Sequence, residues 1–163
     1  MATSTDRPFL YSEAERRRRD ASPWTLVQGV LAPLQFAVFL VSLALVSRTL
    51  ATGEGAGLAN ASVVAKTLAL YAIMITGSLW EKAVFGRYLF APAFYWEDVV
   101  SMLVLALHTA YLVALATGVL ATTGLMWLAL TAYATYLINA GQFLMKLRAA
   151  RLQAPAYAMG AAR

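Results

Sequence analysis

Four apolar stretches alternate with polar ones along the chain, covering roughly residues 24–50, 62–85, 94–117 and 124–147. Each supplies the ~20 residues needed to cross a ~30 Å hydrocarbon core. In lipid every backbone N–H and C=O must be satisfied within the protein, so runs of this length without strand alternation predict helices. The pattern predicts an all-α fold, an integral membrane four-helix bundle. Thr52-Gly53-Glu54-Gly55 and Thr122-Thr123-Gly124 read as breakers between spans. Pro33 predicts a bend in the first helix, and Pro92 separates the second loop from the third helix. There is no internal repeat.

Polar residues outside the spans divide the chain. Residues 1–22 form an N-terminal arm, expected to be partly disordered and helical near Ser12 to Arg19. Residues 23–148 carry the four spans, and 149–163 form a C-terminal tail. The run Arg16-Arg17-Arg18-Arg19 precedes a span too long for a signal-peptide core and without a small-residue cleavage motif, so no cleavable signal is expected. Charge sets the orientation. With the N-terminus in the cytoplasm, Arg7, Arg16 to Arg19, Lys82, Arg87, Lys146, Arg148, Arg151 and Arg163 fall on that side. Only Arg48 and Lys66 fall toward the other. The positive-inside rule therefore predicts N-in/C-in.

Composition agrees with a membrane protein of one domain. The chain is 163 residues, 61% hydrophobic and 13% charged, where soluble domains are nearer half apolar and a quarter charged. The absence of cysteine excludes disulfides, thiolate metal sites and a cysteine nucleophile, and a single histidine excludes a multi-histidine metal centre. The net charge of +5 does not point to nucleic acid, because the basic residues flank apolar runs.

Against this background the acids stand out. Glu81, Glu97 and Asp98 lie at the edges of apolar runs, where ionised groups are costly. Glu97, Ser101 and His108 share one face of the third helix, and Asp98 points about 100° away from Glu97. At ~1.5 Å per residue His108 lies ~17 Å beyond Glu97, near the midplane. Gln28, Gln35 and Ser42 recur every seven residues on the first helix, Ser78 accompanies Glu81 on the second, and Asn139 and Gln142 lie one turn apart on the fourth. All four helices thus contribute polar groups to the cytoplasmic half, and the outer half reads as almost purely apolar. A cavity open at the cytoplasmic end is expected.

Blander readings exist for each feature. Gln28, Ser42 and Gln142 can simply bond neighbouring helices. Glu81 with Lys82, and Asp98 with Arg87, can be interfacial ion pairs. Glu97 and Asp98 can complement the dipole of a helix first turn, and His108 can donate to a backbone carbonyl. The aromatics Phe85, Tyr88, Phe90, Phe94, Tyr95 and Trp96 form either an interfacial belt or the lining for a large flat ligand, with Arg87 available to a ligand carboxylate.

Three blocks carry a family resemblance. The central one is Ile75-Thr76-Gly77-Ser78-Leu79-Trp80-Glu81-Lys82, then Phe85-Gly86-Arg87-Tyr88-Leu89-Phe90-Ala91-Pro92-Ala93-Phe94-Tyr95-Trp96-Glu97-Asp98, then His108-Thr109-Ala110-Tyr111. It is flanked by Trp24-Thr25-Leu26-Val27-Gln28-Gly29 and Leu31-Ala32-Pro33-Leu34-Gln35-Phe36 upstream, and by Tyr136-Leu137-Ile138-Asn139-Ala140 and Gln142-Phe143-Leu144 downstream. From about Leu10 to Leu152 the chain resembles the 3-vinyl bacteriochlorophyllide hydratase family. That resemblance implies addition of water to the C3 vinyl group of chlorophyllide a or a related bacteriochlorin, giving a 1-hydroxyethyl group, in bacteriochlorophyll synthesis in a bacterial inner membrane. It implies a chlorophyllide substrate carrying its own magnesium, no separate cofactor and no nucleic-acid partner. A lipid environment follows from the spans, and a homo-oligomer is compatible with them.

Hydration of a conjugated vinyl group needs a protonated acid to deliver a proton to the terminal carbon and a second group to orient water. Glu97 is the expected general acid, with Glu81 or Asp98 orienting or deprotonating water. His108 is expected either to ligate the substrate magnesium through a neutral nitrogen, or to relay protons or bond a ring carbonyl. Arg87 or Lys82 would meet the substrate propionate. Gln35, Ser78, Ser101, Asn139, Tyr88 and Trp96 complete the expected binding set. Two other functions fit the same residues: a non-catalytic tetrapyrrole-binding or assembly protein, and a small proton-coupled transporter. The edge position of the acids disfavours the transporter.

Overall fold

Ser12 caps the first helix. Its Oγ accepts the Glu15 N–H at 3.3 Å while the Glu15 carboxylate accepts the Ser12 N–H at 2.8 Å, so two otherwise orphaned donors are satisfied reciprocally. The result is α1, Glu13–Ala21, in a computed structural model that describes residues 9–160. Pro23 then opens α2, Pro23–Thr52, at a position where its missing N–H costs nothing. Pro33 lies inside α2 without ending it. Gly53, at φ 75°, turns the chain out of α2. The next helix, α3, is Ala56–Phe85, and Gly86 at φ 82° ends it by donating to the Lys82 carbonyl. Only a residue without Cβ adopts this left-handed geometry at little cost. Two more helices follow, α4 (Tyr95–Thr117) and α5 (Thr122–Gly160).

Two expectations change. Thr122, Thr123 and Gly124 are not a breaker but the first residues of α5. The break falls earlier, at Gly118, which takes a left-handed conformation and stops α4. The tail does not separate from the fourth predicted segment, because α5 runs on through Gly160. The helix expected near Ser12 to Arg19 is α1, and residues 9–21 are docked on the bundle. Tyr11 is buried and stacks on Phe85 at 5.8 Å, Arg18 Nε donates to the Val84 carbonyl, and the Leu10 N–H donates to Gln153 Oε1. Arg7 and Arg163, counted above toward the charge bias, lie outside the described residues, as do the rest of 1–8 and 161–163.

Side-chain pairs fix the arrangement. Thr25 meets Trp80, Gln28 meets Thr76 and Ser42 meets Ser62, so α2 and α3 run antiparallel. Glu97 meets Lys146, Ser101 meets Asn139 and His108 meets Tyr133, so α4 and α5 do too. Phe39, packed against Tyr133 and Tyr136, joins the two hairpins through α2 and α5. The core between them comprises Phe39, Val46, Val63, Leu70, Val104, Met126 and Tyr133 among others.

Helices α2, α3 and α4 are long and apolar enough to cross a membrane; among the described residues α5 falls short on composition, its central part carrying Thr131, Thr135, Asn139 and Gln142. Large apolar side chains stay exposed along the helices, including Leu26, Val30 and Val41 on α2 and Trp127, Ile138 and Leu144 on α5. Such a surface suits hydrocarbon and not water. The chain is a helical membrane protein.

Candidate active site

The three acids converge at the end of the molecule where α3 finishes and α4 begins. The loop 86–94 connects these helices and folds back over their ends. Phe90 in this loop has φ 60°, the positive-φ non-glycine among the described residues. Such a conformation is held by its surroundings. Here the Phe90 N–H donates to Asp98 Oδ2 at 2.6 Å, and the next N–H, from Ala91, donates to Glu81 Oε2 at 3.2 Å. The two carboxyls that gather the loop thus accept from successive N–H groups and lie close enough to influence each other. A carboxylate has no donor of its own, so a hydrogen bond between two carboxyls needs a proton on one of them. Both residues are buried, at 5% and 3% exposure.

Glu97 is differently placed. It is buried, and its Oε1 lies 3.6 Å from Lys146 Nζ, which also donates to the Ala93 carbonyl at 2.5 Å. Asn139 Nδ2 donates to the Glu97 carbonyl at 2.9 Å, and its Oδ1 accepts from Ser101 Oγ at 3.2 Å. Asn139 and Ser101 therefore clamp α5 to α4 beside the acids. The carboxyl pair brought together is Glu81 with Asp98, and Glu97 takes a lysine.

The expected ion pairs of Glu81 with Lys82 and of Asp98 with Arg87 are absent among the described residues. Lys82 Nζ turns to the Gly86 carbonyl, where a cation satisfies the end of α3, and lies over the Tyr88 ring. Arg87 donates to the Phe90 carbonyl. Both are exposed at the rim of the acid cluster. The loop aromatics divide. Phe85 and Phe94 pack with Tyr11 and Trp80 into a buried cluster over the acids. Tyr88 and Trp96 stand outward, 57% and 68% exposed, as an interfacial belt does. Burial pushes the Tyr11 hydroxyl up to about 12, against the lowering effect of the nearby Arg19 guanidinium.

All three carboxyls are covered. A shallow apolar groove of about 620 Å³ lies elsewhere, along α4 beside Met102, Ala106, Ala110 and Val113. Ser78 does not join the acids; its Oγ donates to the Ile75 carbonyl of its own helix. Gln35 is buried on α2, and Gln28 bonds Thr76 across the seam with α3.

His108 lies far along α4 from the acids and is fully buried. Its Nδ1 is 2.8 Å from the Val104 carbonyl, so Nδ1 donates and Nε2 keeps a lone pair, with no hydrogen-bond partner. Opposite it is a residue the sequence reading assigned to topology. Lys66 is fully buried, its Nζ 3.7 Å from the Tyr136 ring centroid and without a hydrogen-bond partner. Helical spacing carries the missed signal: Ala59, Val63, Lys66, Thr67 and Leu70 form one buried stripe of α3. The outer half is not purely apolar either. Ser42 bonds Ser62 and Tyr133, and the Tyr111 hydroxyl donates to Asn60.

The chain is similar to known proteins along most of its length. A family model described as 2-vinyl bacteriochlorophyllide hydratase matches residues 11–149. The 2-vinyl bacteriochlorophyllide hydratase of Rhodobacter capsulatus is 66% identical over 148 residues, 91% of this chain and 86% of the relative. That of Cereibacter sphaeroides is 67% identical over 144 residues, 88% of this chain and 89% of the relative. No solved structure matches.

Proposed function

The chain belongs to the 2-vinyl bacteriochlorophyllide hydratase family, and from that membership we propose a hydro-lyase whose Glu81–Asp98 pair supplies the proton. The enzyme hydrates the vinyl group of a bacteriochlorophyllide in bacteriochlorophyll biosynthesis (the older ring numbering calls position 2 what the systematic one calls position 3). The observation that carries the residue assignment is the pair Glu81 and Asp98, both buried and accepting from the successive N–H groups of Ala91 and Phe90.

The chemistry balances as follows. The shared proton passes from the pair to the terminal vinyl carbon, the π electrons forming the new C–H bond. Positive charge develops on the inner vinyl carbon and spreads into the macrocycle. A water oxygen bonds to that carbon and the surplus proton leaves to Glu97, which is ion-paired with Lys146. Return of that proton to the neighbouring pair restores the enzyme, so the net change is one added water. A positioned acid and base of this kind contribute typically 10²–10⁴-fold. Lys82 and Arg87, exposed at the rim, are the cations for the substrate propionate. Magnesium arrives with the substrate, and the enzyme needs no cofactor of its own. The covered carboxyls imply that the loop 86–94 and its aromatic cluster move aside to admit the macrocycle.

The same reading places four spans, α2 to α5, in a bacterial inner membrane with both termini cytoplasmic. Residues 23–148 are its catalytic domain. Basic residues Arg16 to Arg19, Lys82, Arg87, Lys146, Arg148 and Arg151 gather at the acid-bearing end, which supports that orientation. An apolar disc with one acidic edge then meets the site from the inner-leaflet interface.

Incubating enzyme-containing membranes with vinyl pigment in oxygen-18 water tests the function. The heavy oxygen should appear in a 1-hydroxyethyl product, read by mass spectrometry. Pigment that binds without forming labelled product would replace this reading with that of a tetrapyrrole-binding protein.

A further inference from the structure

The face of α4 that carries Asp98 runs on into the apolar groove. Tyr95, Asp98, Met102, Leu105 and Thr109 follow one another at steps of three and four residues, which places them on one helix stripe. Met102 opens the groove one turn beyond Asp98, and Ala106, Ala110 and Val113 carry it along the helix. From Met102 to Val113 that is ~17 Å at ~1.5 Å per residue. Helix side chains lean toward the helix N-terminus, so this lining leans toward the acids.

The acid end of the stripe is headed by two rings. Phe90, whose N–H donates to Asp98 Oδ2 at 2.6 Å, lies against Tyr95 with ring centroids 5.8 Å apart. Both stay partly exposed, at 36% and 47%. Phe90 is also the residue held at φ 60°, and strain of this kind gathers at ligand clamps and switch regions. The groove and the acids therefore meet at Phe90 and Tyr95.

The reaction limits what the groove can hold. Its volume of about 620 Å³ lies within the roughly 300–1,000 Å³ of small-molecule sites. Ala106, Ala110 and Val113 are exposed, so a hydrocarbon-soluble ligand can enter sideways from the bilayer. The alanines let a flat face come close to the helix backbone. At the wall toward α3, Thr109 Oγ1 pairs with Tyr71 Oη at 2.7 Å, so that wall carries hydroxyls and no charge. Lys82 and Arg87 stand exposed beyond the acid end, where a carboxylate on the edge of a disc would reach water.

We propose that the α4 groove seats the pigment macrocycle flat against Ala106 and Ala110, with its vinyl-bearing edge at Asp98 and Phe90 as the ring it displaces. The occupant rests on the hydratase reading above; the seat is tested without turnover. Ala106→Leu, Ala110→Leu and the double variant add bulk to exposed positions and leave the core untouched. Full-length protein in lipid nanodiscs is titrated with vinyl pigment, and binding is read from the pigment absorption band. The double variant should raise the pigment Kd about tenfold or more, and each single variant should give part of that rise. Val41→Phe, at a 61% exposed position on α2, should stay within about twofold of the parent. Parent-like thermal unfolding confirms that the variants fold. Parent-like pigment affinity in all three groove variants overturns the seat; an accompanying change in oligomer mass by native mass spectrometry would give the groove to a second copy, and an unchanged mass would give it to lipid acyl chains. Labelled product from the parent with parent-like affinity in the groove variants would keep the hydratase and remove the seat. Affinity lost in those variants, with no labelled product from the parent, would keep the seat and remove the hydratase.

Discussion

Replacing one member of the Glu81–Asp98 pair should abolish most turnover while leaving the fold nearly intact. The two carboxyls do two jobs. Each accepts a loop N–H, from Ala91 and Phe90 respectively, and in the proposed mechanism together they hold one proton. Asp98→Asn and Glu81→Gln separate these jobs. The amide oxygen still accepts the loop N–H, so the stability loss should be about 1 kcal/mol, the net worth of one ordinary hydrogen bond. The amide N–H can then donate to the remaining carboxylate, and the shared proton is no longer required. Loss of a general acid costs about 10²–10⁴ in rate, roughly 2.7–5.5 kcal/mol at 1.36 kcal/mol per tenfold. Because one proton serves both groups, the effects should not add: the double variant should be no slower than the slower single. The assay is initial rate of labelled 1-hydroxyethyl product at saturating pigment, with pigment affinity and thermal stability measured in parallel. If both single variants turn over within about threefold of the parent, the pair is not the proton donor. If the double variant loses the product of the two single losses, the residues act separately and the shared-proton picture fails.

Three further outcomes follow from contacts at the same end. Lys146→Met removes the partner of buried Glu97 and the bond to the Ala93 carbonyl; it should cost about 1–3 kcal/mol by thermal unfolding, and Glu97→Met alongside it should recover part of that loss. Asn139→Leu breaks the links to Glu97 and Ser101 and should destabilise by a similar ~1–3 kcal/mol, while product formed per folded molecule stays near the parent value. Tyr11→Ala removes a buried ring stacked on Phe85 and should release α1, seen as faster tryptic cleavage at Arg16 to Arg19 in intact vesicles; cleavage at the parent rate would mean that α1 is held by other contacts.

The helices were legible because their cause is local. Long apolar runs in lipid have one backbone solution, and each of the four runs lies within a helix. The acids were legible too, as costly groups at span edges. Their pairing was not. Whether Asp98 meets Glu97, Arg87 or Glu81 depends on how the loop 86–94 turns back, and that turn rests on the positive φ of Phe90, which spacing does not specify. Lys146 was counted as one more cytoplasmic charge, yet its long stem lets it reach Glu97 on another helix. Lys66 was misjudged for the opposite reason. Treating every lysine as a topology marker overrode the helical period that puts it in line with Val63 and Leu70.

The placement of the acids on separate hairpins has a consequence for how such a protein is made. Glu81 belongs to the α2–α3 hairpin, whereas Asp98, Glu97 and the lysine that answers it belong to α4–α5. A nascent chain that has inserted only its first hairpin carries a lone carboxyl with no mate and no loop to shelter it. The Glu81–Asp98 pair comes into being when the second hairpin docks on the first, so in the proposed mechanism proton-donating capacity reports completed insertion. Two separately expressed halves, cut within the loop at Arg87, should each be inert and regain that capacity only when they meet in one bilayer.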